Sequence, residues 1–251
     1  MLAERLNILN LSVDEIDMHG ALEQVSAYVE TANRPHAILA VNPEKNYQIL
    51  KKDPLLYDIF KTADILIPDG IGIVWAAKVL HGRRLSRVPG VELMENICRL
   101  SAKKGYKIFV YGGKEDVNKE AVEVLTKRYQ GLRIVGRSNG YVKEDAMEAL
   151  TEKINGSGAD ILFLALGSPK QEKWFAAHKH TLENIRVCQG IGGALDTIAG
   201  HVKRAPAIWQ RCSAEWLYRL IFEPRRIKRQ KVLPVFAAHV LMAWLKRLRG
   251  S

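Results

Sequence analysis

The chain has 251 residues, 47% of them hydrophobic and 26% charged, with 38 Lys+Arg against 27 Asp+Glu. This composition excludes a disordered chain and supplies a core for one large domain, or for a domain with an appendage. Three widely spaced cysteines (Cys98, Cys188, Cys212) without a CxxC pair exclude a disulfide framework and a thiolate zinc site, and fit a reduced, cytoplasmic protein.

In chain order, acidic groups break up the stretch from Met1 to Asp17 where a signal peptide needs an apolar run. Short β-branched runs predict strands at Asn7–Leu11, Ala37–Val41, Ile65–Ile67, Lys107–Tyr111, Arg133–Val135, Ile161–Leu166 and Arg186–Gln189. Helical periodicity falls between them. It covers His19–Glu30, then Glu44–Phe60 in two pieces broken at Pro54, then Ile71–Leu80, Val91–Lys104, Asp116–Tyr129, Lys143–Ile154 and Lys170–His180. Ile161–Leu166 is apolar throughout, as a strand covered on both faces should be. Strand–helix alternation at this spacing predicts an α/β fold with a mostly parallel sheet and helices on both faces. Ligands of such sheets bind beyond the carboxyl ends of the strands.

From about Lys203 the pattern is helix only, with Pro206 and Pro234 suited to helix starts and Pro224 to a break. Residues 1–200 are therefore read as the α/β body and 201–251 as a C-terminal helical appendage. The appendage holds 12 of the basic groups, 2 of the acidic groups and three of the five Trp (Trp209, Trp216, Trp244). No stretch approaches the ~20 apolar residues of a bilayer span. A basic, aromatic-rich tail on a near-neutral body points to an anionic partner surface.

The chemistry-bearing residues sit where strands give way to helices. Ile65–Ile67 leads into Pro68–Asp69–Gly70, which places a carboxylate at a strand end beside a helix start. Asp69 is either an N-cap or a general base. Asn42, in Val41–Asn42–Pro43–Glu44, either caps a turn or touches a ligand. Tyr111–Gly112–Gly113–Lys114 opens a helix, and its glycines let backbone N–H groups approach a phosphate, with Lys114 nearby. Gly167–Ser168–Pro169–Lys170–Gln171–Glu172 and Gly190–Ile191–Gly192–Gly193–Ala194 form two more such junctions. Several Gly-bearing turns on one sheet edge favour an anionic, nucleotide-linked ligand. GxGxxG, the GxxxxGK[ST] loop and HExxH are all absent, as is an Asp-x-Asp pair for a metal-held diphosphate. A leaving diphosphate would then need backbone N–H groups and Arg or Lys, with no metal or other cofactor.

Taken jointly, Ile67–Gly70 (IPDG), Arg87–Gly90 (RVPG), Gly167–Glu172 (GSPKQE), Gly190–Asp196 (GIGGALD), Gly200–Pro206 (GHVKRAP) and Glu215–Leu220 with Glu223–Arg226 resemble the WecG/TagA/CpsF glycosyltransferases, glycosyltransferase family 26. The resemblance covers about residues 5–230 and implies a Rossmann-like α/β fold. It implies an inverting, metal-independent transferase that moves an N-acetylmannosamine-type sugar from UDP to undecaprenyl-diphosphate-linked N-acetylglucosamine at the cytoplasmic membrane face. The TagA-like reading is N-acetylmannosamine transfer for wall teichoic acid linkage units. The alternative donor is the mannosaminuronic acid form, or another UDP-hexose for a different surface polysaccharide.

By the same resemblance Asp69 is the catalytic base, and Arg87 and Gln171 lie in the donor pocket. Asn42 matches the Asn of a Thr-x-Asn turn whose Thr position is here Ala40. Val91–Glu92 stands where the family has Thr/Ser-Asp after RVPG. The donor set is completed by Gly70, Gly112, Gly113, Lys114, Gly192 and Gly193. Arg219, Arg225, Arg226 and Arg229 are candidates for the acceptor diphosphate or the membrane. The expected partners are a UDP-sugar, a polyprenyl-diphosphate acceptor and the inner face of the plasma membrane, with a homo-oligomer left open and no nucleic acid. The rival from another class is a nucleotide-binding module that recruits RNA through its basic tail; the high apolar content of the tail and the lack of an RNA-binding signature speak against it.

Overall fold

The computed structural model describes residues 4–46, 53–203, 205–206, 208–209, 217–218 and 232–249. The chain opens with an antiparallel hairpin, β1 (Arg5–Ile8) and β2 (Leu11–Asp14). The sequence pattern suggested a single strand over Asn7–Leu11. Instead the chain reverses at Leu9, whose φ is 57°, and Asn10, whose side chain donates to Asn46 O at 3.1 Å. The apolar alternation changes phase here, from Leu6 and Ile8 to Leu9, Leu11 and Val13, and that one-residue shift marks the turn.

Helix α1 (Met18–Thr31) starts at Asp17, whose carboxylate accepts from Gly20 N–H at 2.8 Å. Next come β3 (His36–Val41), α2 (Pro54–Thr62), β4 (Ile65–Pro68), α3 (Ile71–His81), α4 (Gly90–Lys104) and β5 (Lys107–Gly112). After them lie α5 (Glu115–Arg128), β6 (Arg133–Ser138), α6 (Met147–Gly156), β7 (Ile161–Ala165), α7 (Lys170–His178), β8 (Val187–Gly190), α8 (Ala194–Ile198) and α9 (Val232–Arg249). A separate helical segment covers residues 43–46, and Pro54 starts α2, as the break at this residue predicts. Its missing N–H costs nothing at the first helical position, and Asp53 accepts from Leu56 N–H at 3.1 Å.

The six strands β3 to β8 form one sheet in the order β4-β3-β8-β7-β5-β6, and every pairing in it is parallel. Alternate side chains feed two cores. Leu39, Leu66, Phe109, Leu162 and Leu164 meet the hairpin, α2, α3, α6 and α7 on one face. Ile38, Ile67, Val110 and Phe163 meet α1, α4, α5 and α8 on the other. This is the expected Rossmann-like architecture.

The first core also takes Phe236 and Val240 from α9, which packs on α3. An Arg247 guanidinium nitrogen donates to Leu80 O in the last turn of α3, where helix carbonyls lack intrahelical donors. Arg219, Arg225, Arg226, Arg229, Trp216 and Pro224 lie outside the described residues.

Candidate active site

Residues Val41 and Pro68 are register partners, so Asn42 and Asp69 leave adjacent strands side by side at the carboxyl edge. Asp69 N–H donates to Val41 O at 3.0 Å, which ties the two strand ends together. The N-cap residue of α3 is Gly70, at φ 103° and without a side-chain cap bond. Asp69 is half-buried and stands one residue before the N-cap position of α3. Asn42 does cap, because its Oδ1 accepts from Lys45 N–H at 2.9 Å. Val88 N–H donates to Pro68 O at 2.9 Å and brings the Arg87 loop to the same strand end. The Arg87 guanidinium lies 3.8 Å from Glu92 Oε1, a partly exposed and therefore weak pairing.

The next two strand ends are joined by side chains of α7. Gln171 is buried, and its Oε1 accepts from Gly192 N–H at 3.1 Å. A Cβ on Gly190 would overlap Gln171 Nε2, so any larger residue there must displace the Gln171 side chain. Gln171 Nε2 also reaches Glu172 Oε1 at 3.3 Å, and the same oxygen pairs with Lys45 Nζ at 2.8 Å. Gly193 is the N-cap residue of α8.

The Gly112–Gly113–Lys114 turn is built differently from a phosphate cradle. Gly113 N–H donates to Ala165 O at 3.0 Å, and Gly112 O accepts from Asn118 Nδ2 at 2.7 Å. A Cβ on Gly112 would overlap the Ala165 carbonyl, so close strand packing accounts for this glycine. Glu115 and Asp116 already face the start of α5, and Lys114 is exposed. The turn also lies four strand positions from Asp69, ~19 Å at the usual interstrand spacing. The sequence brings Asn42, Asp69, Gly70 and Arg87 into one group and Gln171, Gly192 and Gly193 into a neighbouring one. Gly112, Gly113 and Lys114 stand apart.

Sequence reasoning passed over Lys45, Glu172 and Gln189. The Gln189 amide nitrogen donates to Gly90 O at 2.8 Å and holds the start of α4 against β8. Glu172 Oε2, Ser168 Oγ and Gln189 Oε1, all at the carboxyl ends of β7 and β8, are buried without a hydrogen-bond partner. The signal for Glu172 was its place after Gln171 in a polar turn. A charged residue there reads as surface until its burial is known.

Burial holds both described cysteine thiols protonated. Cys98 is pushed up to about 12, and Cys188 well above its usual range, with the Glu172 charge adding to the effect. Neither is a nucleophile. Among the described residues no group of three or more His, Cys, Asp or Glu is placed to hold a metal ion. A cavity of about 650 Å³ opens at the opposite, amino-terminal edge of the sheet. Its polar groups are paired with one another: Arg5 with Asp14 at 2.7 Å, and Arg34 and His36 with Asp64 at 2.6 and 2.9 Å. It is a network that ties strand starts together, far from the carboxyl edge.

A parallel α/β sheet with a half-buried carboxylate and two glycine-bearing turns at its carboxyl edge has its candidate site where such sheets bind ligands. The chain belongs to the glycosyl transferase WecG/TagA/CpsF family, whose model matches residues 6–250. It is 33% identical over 229 residues to an N-acetylglucosaminyldiphosphoundecaprenol N-acetyl-beta-D-mannosaminyltransferase of Bacillus subtilis (strain 168), covering 91% of this chain and 84% of the relative. It is also 33% identical over 209 residues to the protein of that name from Bacillus spizizenii (strain ATCC 23059 / NRRL B-14472 / W23), covering 83% and 80%.

Proposed function

We propose that this chain is an inverting, metal-independent glycosyltransferase that moves N-acetylmannosamine from UDP to polyprenyl-diphosphate-linked N-acetylglucosamine. The observation that carries the reading is Asp69, a half-buried carboxylate at the ligand-binding edge beside Asn42. The relatives' names favour this donor and acceptor over mannosaminuronate transfer and over an RNA-recruiting module.

In this reading Asp69 accepts the proton of the acceptor hydroxyl as that oxygen attacks the anomeric carbon. The new glycosidic bond forms on one face of the sugar, and the bond to the β-phosphate oxygen breaks on the other. UDP leaves with the electron pair. Arg87 meets the developing diphosphate charge, and the tail arginines Arg219, Arg225, Arg226 and Arg229 are proposed to share that role or to meet the membrane. Asn42, Gly70, Gln171, Gly192 and Gly193 shape the donor pocket.

Association with the inner membrane face is part of the proposal. Among the described residues no helix is long and apolar enough to cross a membrane. Helix α9 buries Val232, Phe236 and Val240 against the body, yet Leu241, Met242, Trp244, Leu245 and Leu248 are exposed. Leu241, Leu245 and Leu248 fall on the side opposite the buried stripe at helical spacing. A helix apolar on both sides, ending in Lys246, Arg247 and Arg249, suits the headgroup boundary of an anionic bilayer.

A panel of UDP-sugars, offered to the full chain with a short-chain polyprenyl-diphosphate N-acetylglucosamine acceptor, tests the reading. UDP-N-acetylmannosamine should give the fastest transfer, and EDTA should leave it intact. A faster reaction with another donor, or activity lost to EDTA and restored by Mg²⁺, would contradict it.

A further inference from the structure

The ion pair Lys45–Glu172 is the most deeply buried among the described residues, with side chains 8% and 0% exposed and nitrogen to oxygen at 2.8 Å. Burying two charges costs desolvation energy that their attraction often only offsets, so such a pair is a poor device for stability alone. Its best-attested use is to fix one register against alternatives.

The surroundings show what is being fixed. Lys45 lies in the short helical segment after β3, and its own N–H is held by Asn42 Oδ1 at 2.9 Å. Its ammonium group stands 5.2 Å from the Phe60 ring centre, which closes it from water on that side. Glu172 lies on α7, and its Oε1 takes both Lys45 Nζ and, at 3.3 Å, Gln171 Nε2. Gln171 in turn holds Gly192 N–H at 3.1 Å. Asn42 thus holds the Lys45 main chain, and the Lys45 side chain carries the connection on through Glu172 and Gln171 to Gly192, joining the segments that follow β3 and β8.

We propose that Lys45 and Glu172 are positioning residues for the donor pocket, a buried pair that sets the spacing between the Asn42 turn and the Gly190–Gly193 loop. The proposal rests on the donor-site reading above. Neither residue touches substrate; each acts through Asn42 or Gln171. An ångström of misplacement at a binding element can cost up to ~100-fold in function, so the pair should appear in donor affinity.

The test separates positioning from stability. A double variant, Lys45→Met with Glu172→Leu, replaces the pair by apolar groups of similar volume, an exchange that is often neutral for stability. The isosteric Glu172→Gln is the second variant. Full-length proteins are compared by urea unfolding, by calorimetric titration with UDP, and by donor KM and kcat. The expected result is a urea midpoint close to the parent for the double variant, with UDP affinity weakened and donor KM raised by about tenfold or more. The fall in kcat should be smaller. A folded variant of either kind that binds UDP within about twofold of the parent, inside ~0.4 kcal/mol, would overturn the positioning role alone. A parent chain that does not bind UDP would overturn the donor-site reading and the positioning role with it.

Discussion

Gln171 holds the Gly192 amide on its side chain, with Gly192 N–H donating to Gln171 Oε1 at 3.1 Å. Gly190, two residues upstream, has only a hydrogen where a Cβ would overlap the same side chain. Gly190→Ala should therefore push Gln171 off its loop, with a stability loss of about 1–3 kcal/mol from overpacking. Donor KM should rise more than kcat falls. Steady-state kinetics with a urea titration of the variant checks both, and unchanged donor KM would count against the loop as a pocket wall.

The two sides of α9 should respond differently to mutation. Phe236→Ala empties a site in the shared core and should cost about 3–5 kcal/mol. Replacing Leu241, Leu245 and Leu248 together by Ser touches only exposed positions, so the urea midpoint should hold. Sedimentation with anionic liposomes should fall for the triple variant. Undiminished binding would remove α9 from the proposed membrane face.

Acid should weaken the fold through the amino-terminal edge of the sheet. Burial lowers the His36 pKa below its ordinary 6.5, against the opposing charge of Asp64. The unfolded chain therefore takes up this proton first, and the contribution of His36 is complete above 6.5 and lost as pH falls through the folded value. For Asp64, burial pushes upward, but hydrogen bonds from Arg34 and Ala37 N–H and the nearby cations leave its pKa below 3.8. Its contribution is lost at still lower pH, as pH falls below 3.8. Urea midpoints from pH ~7.5 to ~5 should decline, and the decline should be shallower in His36→Gln. An equally steep fall in that variant would show that other groups dominate.

The body was readable because its strands are short, β-branched and apolar on both faces. β7 matches its expected range to within one residue, and the alternation of strands and helices led directly to the parallel sheet. The hairpin was missed because its one sequence signal, the change of apolar phase between Ile8 and Leu9, lies inside an otherwise strand-like run. Asp69, Asn42 and Arg87 were candidates from turn chemistry and motif resemblance, and the fold groups them at one pair of strand ends. Lys45 and Glu172 were not, because charged residues are almost always exposed and their pairing spans 127 positions. At Gly112 close strand packing accounts for the glycine, a demand that looks in sequence like the demand of a phosphate.

The central claim is that Asp69 serves as the base in sugar transfer. The direct measurement is turnover of UDP-N-acetylmannosamine with the lipid-diphosphate acceptor by Asp69→Asn beside the parent, with UDP affinity measured on both. The expected result is turnover lower by about 10²–10⁴-fold with UDP binding retained. Near-parental turnover in Asp69→Asn would contradict the account.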